Sequence, residues 1–196
     1  MGVNDRKRGR PPEGDDRLSA EMIVETAKAQ MLQQGQKLSI RGLARQLTVD
    51  AMAIYHYFEN KNALLEAVAV NIMEEIYMPD ESGTWKVELE KLCVSYVVLL
   101  RDHPGLLETL LNMTGSGLQH ADVFRGRFEV AIASLELPTD TQQAALDLLV
   151  DYLHGFALAI HASAGTNSIE VTRMQAPFAL YIRMLRHAAN GQQDAP

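Results

Sequence analysis

The chain has 196 residues, of which 47% are hydrophobic, and a formal net charge of −7. This is enough apolar side chain to bury a core, as one domain or as a small domain joined to a larger one, and it excludes a disordered chain. The single cysteine, Cys93, excludes an internal disulfide and fits a reducing, cytoplasmic setting. No apolar segment follows the basic start and no 18-residue apolar run is read, so neither a signal peptide nor a membrane span is expected. The greasiest stretch, LDLLVDYLHGFALAI (146–160), is interrupted by Asp151 and His154.

The charge is unevenly spread. Residues 1–63 carry ten Lys/Arg against eight Asp/Glu, whereas residues 64–196 carry eight against seventeen. An acidic body with a slightly basic head points to a head that meets a polyanion.

Residues 1–17, rich in charge, Pro and Gly and without periodicity, are expected to be a disordered basic arm. The rest reads as helical throughout, with no hairpin signal. Ser19 is placed to cap a first helix with an inner stripe of Ile23, Ala27 and Met31, ending before Gly35. Ser39 caps a short second helix, whose apolar positions Ile40, Leu43, Ala44 and Leu47 follow helical spacing. Thr48-Val49 forms a turn, and Asp50 caps a third helix over about 51–57 with Ile54 facing inward. Asn60 caps a fourth, from Lys61 to about Tyr77, with Leu65, Val68, Ile72 and Ile76 as its buried edge. Two short helices joined by about three residues make a helix-turn-helix.

A long helix beginning at Trp85 carries Leu89, Leu92, Tyr96 and Leu99 and ends near Asp102-His103-Pro104. NMTGSG (112–117) breaks the chain. Helices follow over 118–135 and 139–164, then a GTNS loop (165–168), then a last helix striped by Phe178, Ile182 and Leu185 with Pro177 near its start. The expected architecture is all-α. An arm (1–17) precedes a three-helix helix-turn-helix domain (18–64, including the start of the connecting fourth helix) and a larger α-helical ligand-binding and dimerisation domain (65–196).

The stretch TVDAMAIYHYFENK (48–61) sets Tyr55, His56, Tyr57 and Phe58 in a row, and they cannot all face a core. With Ile54 inward, Ala51, Met52, Ala53, Tyr55 and His56 fall on the outer arc. This arrangement suits a recognition helix in a DNA major groove, with Tyr hydroxyls and Lys61 on phosphates and the start of the fourth helix adding its dipole. The plainer alternative is a set of ordinary surface aromatics.

Residues 18–65 resemble the DNA-binding domain of the TetR family of bacterial transcriptional repressors. The resemblance is carried by LSIRGLARQLTVDAMAIYHYFENKNALLEAV, above all I-Y-H-Y-F-x-N-K-x-A-L-L. It implies that Ser39 and Tyr55 touch backbone phosphates and that Arg41 reaches a base edge. Ala51, Met52 and Ala53 would face bases, His56 and Tyr57 would line the groove edge, and Lys61 would clamp a phosphate. Thr48 stands where the family often has Gly, so an altered turn is expected, because Thr disfavours positive φ. Ala-Met-Ala offers no hydrogen-bonding side chain, which leaves thymine methyls and groove shape to carry specificity. In the arm, KRGRPP (7–12) resembles a minor-groove AT-hook, with Arg8 and Arg10 as contacts; a merely solubilising tail is the alternative.

The family also implies a homodimer, matching palindromic operators. The helix over 140–164 is apolar on more than one face, so together with 178–189 it could form an intersubunit four-helix bundle; a fully buried central helix is the alternative. Trp85, Leu89, Leu92, Tyr96, Leu110, Met113, Phe128 and His154 are expected to line an effector cavity, together with Met73, Leu99 and Phe124, although such a stripe is more often plain core. His154 and His161 share a face and could bind a ligand or metal, or be satisfied at an interface. No metal site or cofactor is expected. A drug-binding branch of the family is also similar from ALLEAV to Trp85 and beyond, but its polar and metal-binding positions fall on Ile76, Leu92 and Leu110. An apolar effector is expected instead.

The expected function is a ligand-responsive dimeric repressor released from double-stranded operator DNA by a small, largely apolar effector. The alternative is an effector-independent or partner-controlled DNA-binding protein, which a filled C-terminal core would favour. An enzyme is not expected: no Ser/His/Asp spacing, phosphate-cradling Gly loop or metal-ligand cluster is present in the sequence.

Overall fold

The structure, a computed structural model, describes residues 18–34, 38–103, 105–113, 119–163 and 170–191. The arm with Arg8 and Arg10, Gly35, most of NMTGSG and the GTNS loop lie outside the described residues. Those described form helices α1 to α9 and no strand.

The head is set by its caps. Ser19 Oγ accepts the Met22 amide at 3.1 Å and starts α1 (Ala20–Gln34), whose stripe Ile23, Ala27 and Met31 is buried. Ser39 caps α2 (Ile40–Gln46) and Asp50 caps α3 (Ala51–Tyr55), each side chain accepting an amide of the first turn. A Cβ on Gly42 would meet the Gln30 amide nitrogen at 2.7 Å, so α2 crosses α1 at a distance that suits glycine. α3 is shorter than expected, with His56 as its C-cap. Thr48 does adopt positive φ, at 56°, against the expectation that a threonine would alter the turn; the backbone bonds from the Thr48 amide to Arg45 O and from the Val49 amide to Ala44 O hold it there.

α4 (Lys61–Met73) ends four residues earlier than expected. Its buried edge is Leu64, Val68 and Ile72, continued past the helix end by Ile76, with Leu65 only half-buried. α1 lies along α4, where Lys28 reaches Asn71 and Glu75, and Asn71 in turn donates to Glu25. Beyond α4 the chain is tied down by Glu88, whose carboxylate accepts from the Asp80 amide, Lys91 and the Tyr77 hydroxyl.

In the body, α5 (Trp85–Asp102) packs against α7 (Gln119–Ile132) and α8 (Thr139–Ser163), and α7 also packs on α4. α6 (Leu106–Asn112) follows Gly105, which takes φ 87° at the turn. α9 (Gln175–Asn190) lies on α8, where the Tyr181 hydroxyl donates to Ala145 O at 2.8 Å.

α8 is not buried all round. Ala145, Leu146, Leu149, Leu153 and Ala157 face the core, while Leu148 and Leu158 are each 51% exposed. On α9, Leu180 and Met184 are likewise exposed. By length and composition alone α8 is apolar enough to cross a membrane, contrary to the sequence expectation, because its few charges are outweighed when averaged over a whole helix. Its inner face is nevertheless the packing surface for α5, α7 and α9.

Candidate nucleic-acid interface and ligand cavity

Helical rotation of about 100° per residue makes α3 one-sided. Ile54 is its only buried residue, so Ala51, Met52 and Tyr55 turn outward. Ser39, Arg41, Ala51, Tyr55 and Lys61 line one shallow cleft with Leu38 and Ile40. Met52 stands beside it, 63% exposed, His56 is exposed and Ala53 is half-buried. Tyr57 keeps its ring at the surface but commits its hydroxyl to the Leu18 carbonyl, bracing the start of α1. Lys61 is the first residue of α4, beside the amides of an exposed helix start whose Asn60 cap takes the Ala63 amide at 2.9 Å.

The body carries an open-mouthed cavity of about 470 Å³, within the size range of small-molecule sites, with Leu111, Arg125, Asp147 and Asp151 exposed at its rim. It is walled by side chains from five helices: Met73 on α4, Tyr96 on α5, Leu110 and Leu111 on α6, His120, Phe124 and Arg125 on α7, and Leu146, Val150 and His154 with Asp147 and Asp151 on α8. Of the residues expected there, Tyr96, Leu110 and His154 line it, as do Met73 and Phe124. Leu89, Leu92 and Phe128 are fully buried core, Trp85 and Met113 are half-buried against that core, and none of the five lines the cavity. The gap between α5, α7 and α8 opens only at the level of Tyr96, a depth that periodicity cannot report.

The polar groups of the cavity come in pairs. The Tyr96 hydroxyl lies 2.7 Å from His154 Nε2, and the Tyr96 ring packs on Phe124 at 4.8 Å between centroids. Burial pushes the Tyr96 hydroxyl pKa up and the His154 pKa down, so the pair is a neutral phenol and a neutral imidazole. His120 Nδ1 lies 2.9 and 3.0 Å from the two carboxylate oxygens of Glu66 on α4, and its backbone amide donates to the same group. The sequence reading missed His120. Its signal was a polar residue four before Phe124 on an otherwise apolar stripe.

His161 is satisfied separately, its Nε2 donating to Leu100 O at 3.0 Å. Cys93 is fully buried, and burial raises its thiol pKa, so it is a small core hydrophobe. His103 ends α5, and burial lowers its pKa. Among the described residues no three His, Cys, Asp or Glu side chains converge on a point that could hold a metal ion.

Residues 23–68 match the model of the bacterial regulatory proteins of the tetR family. The tetracycline repressor protein class G of Vibrio anguillarum is 36% identical over 62 residues, a match that spans only 30% of this chain and 30% of that repressor. The fold is shared over nearly the full length with solved structures. ActR of Streptomyces coelicolor, in complex with (S)-DNPA, is 21% identical with a TM-score of 0.73, covering 88% of this chain and 99% of its own. BioQ of Mycobacterium smegmatis is 22% identical with a TM-score of 0.75, covering 88% and 99%. Residues 23–68 thus carry the helix-turn-helix of the bacterial regulatory proteins of the tetR family, joined to an all-helical body whose fold is shared with ActR and BioQ.

Proposed function

We propose that this protein is a cytoplasmic, homodimeric, ligand-responsive repressor that leaves a palindromic double-stranded operator when a small, largely apolar effector fills the body. The observation that carries the reading is the single cleft that gathers Ser39, Arg41, Ala51, Tyr55 and Lys61 on the exposed side of α2 and α3. Met52, Ala53, His56 and Tyr57 extend that surface, with α3 entering the major groove and Lys61 on a phosphate. BioQ has been solved with its double-stranded DNA operator, and ActR with (S)-DNPA and with actinorhodin; both kinds of partner suit the two sites of this chain.

The two sites share one element. α4 carries α1 of the head through Lys28 and Asn71, and it is gripped by α7 through His120–Glu66 and through Arg127, which donates to the Glu74 and Ile76 carbonyls. The boundary between a head of 18–64 and a body of 65–196 therefore falls within α4. A ligand that displaces α7 beside His120 acts directly on the helix that carries the head. A coupling of about 1–3 kcal/mol suffices for induction, and the operator must weaken effector binding reciprocally. Exposed Leu148, Leu158, Leu180 and Met184 supply the apolar face for a two-fold bundle of α8 and α9.

The partner-controlled alternative calls for a filled body, and the cavity of about 470 Å³ favours an effector. Regulators of this family are generally not enzymes, and none of the chemistry described requires one. The test is selection of bound DNA from a random pool, followed by salt titration of the winner. An enriched palindrome whose affinity falls steeply with salt is the expected result. Equally weak binding to all sequences would overturn the operator reading.

A further inference from the structure

The cavity holds two histidines from facing helices, and each has one ring nitrogen committed to the protein. Glu66 faces His120 Nδ1 with both carboxylate oxygens, which only accept, so Nδ1 carries the hydrogen. In its neutral form the ring then presents Nε2 as a lone-pair acceptor.

At the second histidine the logic inverts. The Tyr96 hydroxyl is buried and has no other acceptor among the described residues, so it donates to His154 Nε2 rather than being left orphaned. The remaining hydrogen of His154 is therefore on Nδ1. Neither His120 Nε2 nor His154 Nδ1 has a partner among the described residues, and neither is among the enclosed, unsatisfied polar atoms, so both stay open to the cavity. The cavity thus offers one acceptor and one donor against walls of Met73, Phe124, Leu146 and Val150.

Resting on the ligand-responsive reading, we infer that the effector is a hydroxyl-bearing ring compound, a phenol or an alcohol on an apolar skeleton, anchored by donation to His120 and acceptance from His154. Other head groups fit worse. A carboxylate has no hydrogen for His120, and Asp147, Asp151 and Glu66 outnumber Arg125 around it. An ammonium has no lone pair for His154. An ether or ketone leaves His120 unpaired.

The test uses the full-length protein without DNA and titrates 2-naphthol, 2-methoxynaphthalene and 2-naphthoate by calorimetry. The naphthol is expected to bind about tenfold tighter than either of the others, the worth of one additional hydrogen bond. His120→Phe should bring the naphthol-to-ether ratio to about one while leaving ether binding nearly unchanged, whereas His154→Phe removes the donor that both probes use and should weaken naphthol and ether alike, several-fold, with their ratio kept. His154→Gln, which keeps an N–H donor, serves if the phenylalanine variant does not fold, and should weaken both probes less than the phenylalanine does, again with their ratio kept. Equal binding of naphthol and ether, tighter binding of naphthoate, or no binding of any probe overturns the inference. Release of the selected operator is measured separately. Discrimination without release upholds the anchors and sinks ligand-responsive repression; release by a ligand that shows no hydroxyl preference does the reverse.

Discussion

The residues of the cleft on α2 and α3 all fall within positions 38–61, whereas those of the cavity run from Met73 to His154. In the head, the side chains proposed to meet DNA are placed by contacts a few residues long: three caps, one buried isoleucine and one left-handed turn. In the body, no local pattern marks the site, because the cavity is what remains where five helices fail to close. A helix that reads DNA must carry its chemistry on one short face, so sequence spacing encodes it directly. A pocket is a property of packing, and its lining is drawn from whichever turns of distant helices happen to meet.

That contrast can be broken by substitutions on each side. Ile54→Ala removes the only buried side chain of α3 and should cost the head about 2–5 kcal/mol. Operator binding in a mobility-shift assay should be lost while probe binding to the body persists. If both fail together, head and body unfold as one unit and the division is wrong.

The double variant Leu158→Glu with Leu180→Glu places charge on the exposed apolar face of α8 and α9. Sedimentation should show monomers, and operator affinity should fall at least about 100-fold, because two half-sites are no longer bound by one particle. A stable dimer in this variant would move the interface elsewhere.

Arg41→Ala should weaken the operator by about 1–3 kcal/mol and relax base preference at one position of each half-site. Lys61→Ala should weaken all sequences alike and lower the salt slope by about one. Swapped behaviour in the two variants would reverse their assigned roles. Thr48→Gly relieves a φ of 56° and should stabilise the head by about 0.5–1 kcal/mol, read as a higher Tm.

The smallest effect expected is on acid stability. The Asp80 amide, then Lys91 and Tyr77, hold the Glu88 carboxyl at about 2, below its ordinary 4.5. A lowered folded-state pKa contributes stability that is fully present above about 4.5 and is lost as pH falls toward about 2. Glu88→Gln should lower Tm at pH 7, and its deficit should shrink across that window. A deficit constant with pH would mean that Glu88 acts by packing alone.

How far each site was legible follows from the same division. Ser39, Asp50 and Asn60 were identifiable as caps because a cap is a side chain bonding two or three residues ahead. The turn at Thr48 was misjudged because propensity alone opposed it, while two backbone hydrogen bonds overrode that preference. Of the residues expected at the cavity, Tyr96, Leu110 and His154 line it, but Leu89, Leu92 and Phe128 belong to equally apolar stripes that simply close. Helical spacing says which face of α5 is inner; it does not say at which turn the neighbouring helix stands away.

By itself, then, the sequence determined the all-helical class, the capped helix-turn-helix and the outward face of α3, since all three rest on interactions short in sequence and on the fixed rotation of a helix. Only the tertiary structure decided that His120 meets Glu66 and His154 meets Tyr96, and that a space of about 470 Å³ stays open between them. Those outcomes depend on where helices distant in sequence come to rest against one another, and that is fixed by the packing of the whole chain.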